Sequence, residues 1–172
     1  MVNLAKFRSY DWSSHTPRPL DPELNAAIVA IASCIFPAGF DVADSAPDTY
    51  EELKAHLGAG HRMVVWSGAS DATIYGCPEV NWAFRAWHDW CHWQGQHDFT
   101  LEGEAATAEL QCEQLLGLFG DTPRTRRWQR IIQTEIIEQG RHLVIHGAFP
   151  GDQRAFVLSA LRPTLPLLSF AA

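Results

Sequence analysis

Cysteine is scarce in this chain of 172 residues: Cys34, Cys77, Cys91 and Cys112 are scattered and form no C-x-x-C pair. The simplest account is an intracellular chain with reduced thiols. Long apolar runs are lacking as well. None approaches the roughly 20 residues that a membrane span requires. The opening MVNLAKFRSYDWSSH contains no apolar h-region of a secretion signal, so a cytoplasmic protein is the expectation. Basic charge is in short supply: 13 lysines and arginines against 20 acidic residues give a formal net charge of -7. That balance argues against general nucleic-acid binding and against binding to acidic membranes. One local exception is Arg124, Arg126, Arg127 and Arg130, which reads as a solvated helix face. Internal repeats and low-complexity tracts are absent too.

What is present suits one domain with a real core: 47% of residues are hydrophobic, with ordinary glycine and proline content. Residues 1–20 read as an extended, proline-interrupted N-terminal arm. Asp21-Pro22 then caps a helix through ELNAAIVAIASCIF, with proline at its tolerated first position. PDTYEELKAHLGAG predicts a second helix, with Asp48 and Glu51 as its capping box and Gly58 as its stop. RMVVWSG and ATIYG read as short strands joined by ASD in a small hairpin. Pro78 opens the next helix and Gly95 ends it. Helices over about 101–119, 124–146 and 152–161 follow, before a proline-broken apolar tail, RPTLPLLSFAA. The fold class is therefore mostly α: a single-domain helical bundle over 1–172 with a small β hairpin.

The stretch WHDWCHW, residues 87–93, sets two histidines one helical turn apart among tryptophans. At 100° per residue, His88 and His92 share one side with Asn81, Phe84 and Arg85, while Trp82, Trp87, Trp90 and Trp93 spread around the rest. A helix apolar on nearly all sides is buried, so these histidines face an interior. Buried polar groups there must be hydrogen-bonded or ligated. On the next helix Glu102, Glu109 and Glu113 fall together on a solvated face. Glu104 falls opposite, in line with Ala108, Gln111, Leu115 and Leu118, and the preceding Gly103 allows another group to approach the backbone closely. On the third, Trp128, Ile131 and Ile132 mark the buried side. Glu135, Gln139, His142 and His146 continue it, with Glu138 on its edge. Three helices thus turn His or Glu inward, which is the usual protein material for a Zn, Fe or Mn site inside a bundle. The competing account is a pair of hydrogen-bonded His–Glu contacts in the core, with His142 and His146 serving a helix end.

HDWCH fits H-x-x-x-H with an acid second, and so resembles the HExxH of zinc peptidases with Asp in place of Glu. That resemblance implies zinc on His88 and His92 and a general-base role for Asp89. Aspartate is one methylene shorter than glutamate, and Glu113, near the spacing of the third ligand, points outward. The longer run FRAWHDWCH … DFTLEGEAATAELQ … QTEIIEQG is similar to little-characterised phage-borne proteins with an Arg-x-x-His-Asp, His, Gly-Glu, Thr-Glu-x-x-x-Gln order. It spans residues 84–140 and implies a phage setting with His88, Asp89, His92, Glu104, Glu135 and Gln139 as site residues. Inward His and Glu on several helices also look like the di-iron carboxylate bundles, although here Glu138 and His142 are four apart rather than three.

The reading that follows is a metal-dependent helical enzyme, a hydrolase, acting on a small-molecule or anionic substrate. His88 and His92 would bind a divalent ion, zinc ahead of iron or manganese, with Glu104 or Glu135 completing the set and His142 as a further candidate ligand. The remaining carboxylate would be the general base on an activated water. Asp89 would hold an imidazole or a substrate-side group in place, and Arg85 with the arginine cluster would favour an anionic substrate. A non-haem iron or di-iron oxygenase recruiting Glu138 and His142 is the alternative enzyme. A phage-encoded interaction protein with a structural polar core is the non-enzymatic one. Helical phase makes a direct prediction. Glu104→Gln should weaken metal binding, whereas Glu102→Gln, Glu109→Gln and Glu113→Gln should bind metal normally and shift stability by no more than about 0.5 kcal/mol. Metal titration and thermal melts of the four variants check this, and equal sensitivity in all four would contradict the phase argument.

Overall fold

The structure, a computed structural model, describes residues 10–12 and 15–162. The far N-terminal part of the arm and the apolar tail lie outside the described residues. Six helices and two short strands follow in order: α1 (Pro22–Ile35), β1 (Asp41–Ala43), α2 (Tyr50–Gly58), β2 (Val64–Trp66), α3 (Pro78–Gly95), α4 (Leu101–Phe119), α5 (Pro123–His146) and α6 (Gln153–Leu161). The protein is mostly α, as the helical periodicities require. Helix α3 is central and packs on α1, α2, α4 and β2. Helix α4 packs on α5, and α5 on α6. Trp87, Ile28, Phe40, Leu115, Ile131 and Ile132 are fully buried between them. Each such side chain contributes about 1.5–3 kcal/mol of hydrophobic stabilisation.

Local chemistry explains the helix starts. Asp21 Oδ1 accepts from the backbone N–H groups of Glu23 and Leu24, and its Oδ2 accepts from Arg127, which ties α1 to α5. Helix α2 is capped by Thr49, whose hydroxyl accepts from Glu52 N–H, while the Glu52 carboxylate accepts from Asp48 N–H. The cap therefore sits one residue later than the predicted Asp48–Glu51 box. Gly58 ends the helix as expected.

The predicted hairpin is corrected. Val64–Trp66 is a strand, but it pairs in parallel with Asp41–Ala43, with Val65 opposite Val42. Residues 72–76 form turns instead of its partner strand, because other elements take their backbone groups. The Ala72 carbonyl accepts from Arg154 N–H and the Ile74 carbonyl from Leu20 N–H. The Thr73 and Ile74 carbonyls also accept from the Arg154 guanidinium, and that of Tyr75 accepts from the Asn25 side chain.

Three arginines of the cluster are spent on acids. Arg124 pairs with Glu23, Arg126 makes two hydrogen bonds to Asp121, and Arg127 pairs with Asp21. Two further expectations need adjustment. Leu118, placed on the inward stripe of α4, is exposed. His142 is half-buried and His146 exposed, because α5 outruns α4. Leu101, the first residue of α4, already lies opposite Gly140, so later turns of α5 lose that neighbour. Among the described residues no helix is long and apolar enough to cross a membrane.

Two glycines of α4 give a matched test. A Cβ on Gly103 would stand 2.0 Å from the Asp98 carbonyl oxygen, whereas one on Gly117 would meet nothing within 4 Å. Gly103→Ala should destabilise by about 1–3 kcal/mol, and Gly117→Ala should stabilise by up to about 1 kcal/mol. Urea unfolding of the two variants checks this, and a neutral Gly103→Ala would refute the close approach.

Candidate metal centre

Helix α3 presents His88 and His92 one turn apart, with their Nε2 atoms separated by 3.0 Å. The connection to α4 is tight. Gln96 takes a left-handed conformation, Asp98 accepts from Thr100, and the Thr100 hydroxyl caps α4 by accepting from Gly103 N–H. The next residue is Glu104, which turns back towards α3. Its carboxylate oxygens lie 3.1 Å from His88 Nε2 and 3.5 Å from His92 Nε2. These three residues form a group that could hold a metal ion. His92 is almost fully enclosed at 1% exposure, while His88 and Glu104 retain 15% and 21%, so the centre opens on the Glu104 side.

Hydrogen bonds behind the rings fix where the ring protons sit. His92 Nδ1 donates to the His97 carbonyl at 3.0 Å, a group that can only accept. His88 Nδ1 donates to Gln111 Oε1, also at 3.0 Å. Each neutral ring then carries its lone pair on Nε2. Two ring lone pairs and two carboxylate oxygens converge on one point with no donor among them. Only a cation there makes the set stable, either a proton on one imidazole or a metal ion. Tetrahedral bonds of about 2.0–2.1 Å would set ligand atoms about 3.3 Å apart. The separations of 3.0, 3.1 and 3.5 Å bracket that value. Three protein ligands also leave one position open, as catalytic zinc sites do.

Charge around the centre is dense. Burial opposes the charged form of His88, but Glu104 outweighs it, with help from Asp89 and Gln111, and holds His88 at about 9. Burial would raise Glu104, yet His88 and His92 pull it well below the usual carboxylate range. Asp89, half-buried beside His88, is pushed up to about 6 by burial against the pull of both histidines. Glu135, only 6% exposed, is pushed up to about 7 by burial, against His88, Arg85 and a hydrogen bond from Gln139 at 2.8 Å. Cys91 and Cys112 lie outside the ligand group, and burial raises both thiols to about 12.

The predicted residues thus divide. His88, His92 and Glu104 come together. Glu135 lies outside the three-ligand group but close enough to feel His88 and Glu104 electrostatically. Arg85 is committed elsewhere, because its guanidinium donates to the carbonyls of Trp66, Gly68 and Ala69 and lies over the Trp66 ring. Its charge still reaches Glu135 and Asp89. His142 stands apart: its Nδ1 donates to the Ala148 carbonyl, and its ring packs on Phe156 and His146. Glu138 pairs with Arg141 at 2.6 Å. Among the described residues no second ligand group is assembled around Glu138 and His142. The phase argument singled out Glu104 correctly; Glu102, Glu109 and Glu113 are exposed.

Sequence reasoning missed the groups that orient the rings. Gln111 and Thr107 are fully buried on α4, with Gln111 against His88 and the Thr107 hydroxyl 3.1 Å from His92 Nδ1. Both are polar residues on an inward stripe, spaced three and seven positions beyond Glu104. That spacing was the available signal. The His97 carbonyl left none, because it depends on the path of the α3–α4 connection.

These charges predict how metal-free protein responds to pH. The folded-state rise of His88 from 6.5 to about 9 adds stability that is complete below 6.5 and lost as pH rises through 9. The raised Glu135 acts in the same direction, because the folded state keeps a proton that the unfolded chain releases between 4.5 and about 7. Lowered Glu104 adds stability above 4.5 that is lost in stronger acid. With chelator present, melting temperature should therefore fall from weakly acidic to alkaline buffer, and His88→Gln should flatten the upper part of that fall. Stability that rises towards pH 9 would overturn this assignment. Comparison with protein families, with curated proteins and with solved structures returns no match, so the case for the centre rests on its own geometry.

Proposed function

We propose that the protein is a metal-dependent hydrolase whose ion is held by His88, His92 and Glu104. The observation that carries this reading is the convergence of two Nε2 atoms and a carboxylate, 3.0–3.5 Å apart, on one point that calls for a cation. Zinc fits first. Two histidines and a glutamate are a known catalytic zinc set, and the ring-orienting bonds to His97 and Gln111 are of the kind that support such ligands. A bound divalent ion would supply a Lewis acid and make water a better nucleophile near neutral pH.

The chain's own groups do the rest. With Glu104 among the ligands, Glu135 is the remaining inward carboxylate, and a carboxyl held near 7 suits a general base. Gln139 fixes its orientation by donating to Oε1. Asp89 adds negative charge beside His88 and holds the imidazoles in place electrostatically. A second reading also has a specific observation behind it. Two histidines and one carboxylate on one side of an ion are equally the facial set of mononuclear non-haem iron oxygenases. Metal identity and oxygen consumption separate the two.

The test begins with elemental analysis of protein purified without added metal, where one zinc per chain is expected. His88→Ala and His92→Ala should each lose it. Glu135→Gln should keep the metal but lower hydrolysis of activated esters by about a hundredfold or more. Full metal in both histidine variants, or unchanged turnover in Glu135→Gln, would count against the proposal.

A further inference from the structure

Resting on the hydrolase reading, we infer that the centre takes an uncharged ester or amide with an apolar acyl group, and not a phosphate ester. Three observations support this. The first is the commitment of the cations. Arg85 donates to three backbone carbonyls, Arg124, Arg126 and Arg127 pair with Glu23, Asp121 and Asp21, and Arg141 pairs with Glu138. A phosphate ester is held by forks of free guanidinium or ammonium groups, and these arginines are engaged elsewhere.

The second observation is the sign of the charge beside the ligands. Asp89 and Glu135 both interact electrostatically with Glu104 and His88, and Arg85 is the cation that faces them. A divalent ion together with Arg85 balances the three ionised carboxylates, which leaves no surplus positive charge. A phosphate monoester brings a charge of about -1.5 to -2 into this half-buried site. Uncompensated charge in such a place is strongly disfavoured. A neutral carbonyl compound meets no such barrier.

The third observation is the rim. Glu104 is 21% exposed, and Gly140 of α5 packs close to both its side chain and Leu101. Val144 lies one turn further along the same face of α5 and is 67% exposed, and Leu101 is 37% exposed. An apolar acyl chain can lie against Leu101 and Val144 while its carbonyl reaches the ion.

In the reaction, the oxygen of water bonds to the acyl carbon and the bond from that carbon to the leaving oxygen or nitrogen breaks. Glu135 takes the proton of water and returns it to the leaving group, giving a carboxylic acid and an alcohol or amine. The experiment uses full-length protein loaded with zinc to measured stoichiometry. p-Nitrophenyl butyrate should be cleaved at least about a hundredfold faster than p-nitrophenyl phosphate, with the difference abolished in Glu135→Gln. Butyrohydroxamate should inhibit, millimolar inorganic phosphate should not, and Val144→Asp should raise KM for the butyrate ester with zinc content unchanged. Faster cleavage of the phosphate ester, inhibition by phosphate, or zinc-loaded protein that neither cleaves the butyrate ester nor binds the hydroxamate would overturn the inference and leave the metal centre standing. Protein that takes up no metal at His88, His92 and Glu104 would overturn both.

Discussion

Two imidazole nitrogens 3.0 Å apart, whose neutral rings keep their protons on the far side, cannot both sit against a carboxylate without a proton or a metal ion between them. Much of the surrounding architecture serves to hold that arrangement. Glu104 reaches the histidines only because α4 starts within a few residues of the end of α3. That start depends on Gly103 letting the Asp98 carbonyl approach its backbone. Thr100 and Asp98 then close the turn with hydrogen bonds. Beside the histidines on α3, Trp87 is fully buried and donates to Gln114 of α4 at 2.6 Å, a second tie between the same two helices.

A proton or a metal ion could fill this one position, and each would leave a different charge pattern. With a proton, His88 and Glu104 form an ion pair, and burial moves the titration of Asp89 and Glu135 up to about 6 and about 7. With a divalent ion, all three carboxylates can ionise, because the added charge offsets their mutual repulsion. Metal uptake would therefore release protons from the ligand set and its neighbours together.

Arg85 shows how a residue can matter to a site without touching it. Its hydrogen bonds to the carbonyls of Trp66, Gly68 and Ala69 clamp the segment after β2 against α3. Its charge, from that fixed place, moderates Glu135 and Asp89. A guanidinium on the histidine face of a helix reads from the sequence as a substrate-binding group. Its true partners belong to a loop nearly twenty residues away, and that loop was expected to be a hairpin.

Helix positions and inward faces were legible in the sequence, because apolar periodicity, proline at helix starts and glycine at their ends are local signals. The bounds of α3 and α4 were read in full, and phase alone separated Glu104 from its three solvated neighbours on α4. Strand pairing was not legible, since the parallel partner of Val64–Trp66 lies across α2 and the carbonyls of residues 72–76 go to α1, α6 and the arm. Nor was the fate of His142, which shares a stripe with Glu135 but lies beyond the point where α4 begins. Phase tells which way a side chain points; only the relative lengths and offsets of packed helices decide what it meets. Thus the sequence by itself determined that histidines and carboxylates turn inward on three helices, because burial of apolar neighbours leaves them no other direction. The tertiary structure alone decided that two histidines and one glutamate share a single point, because that depends on where α4 starts against α3.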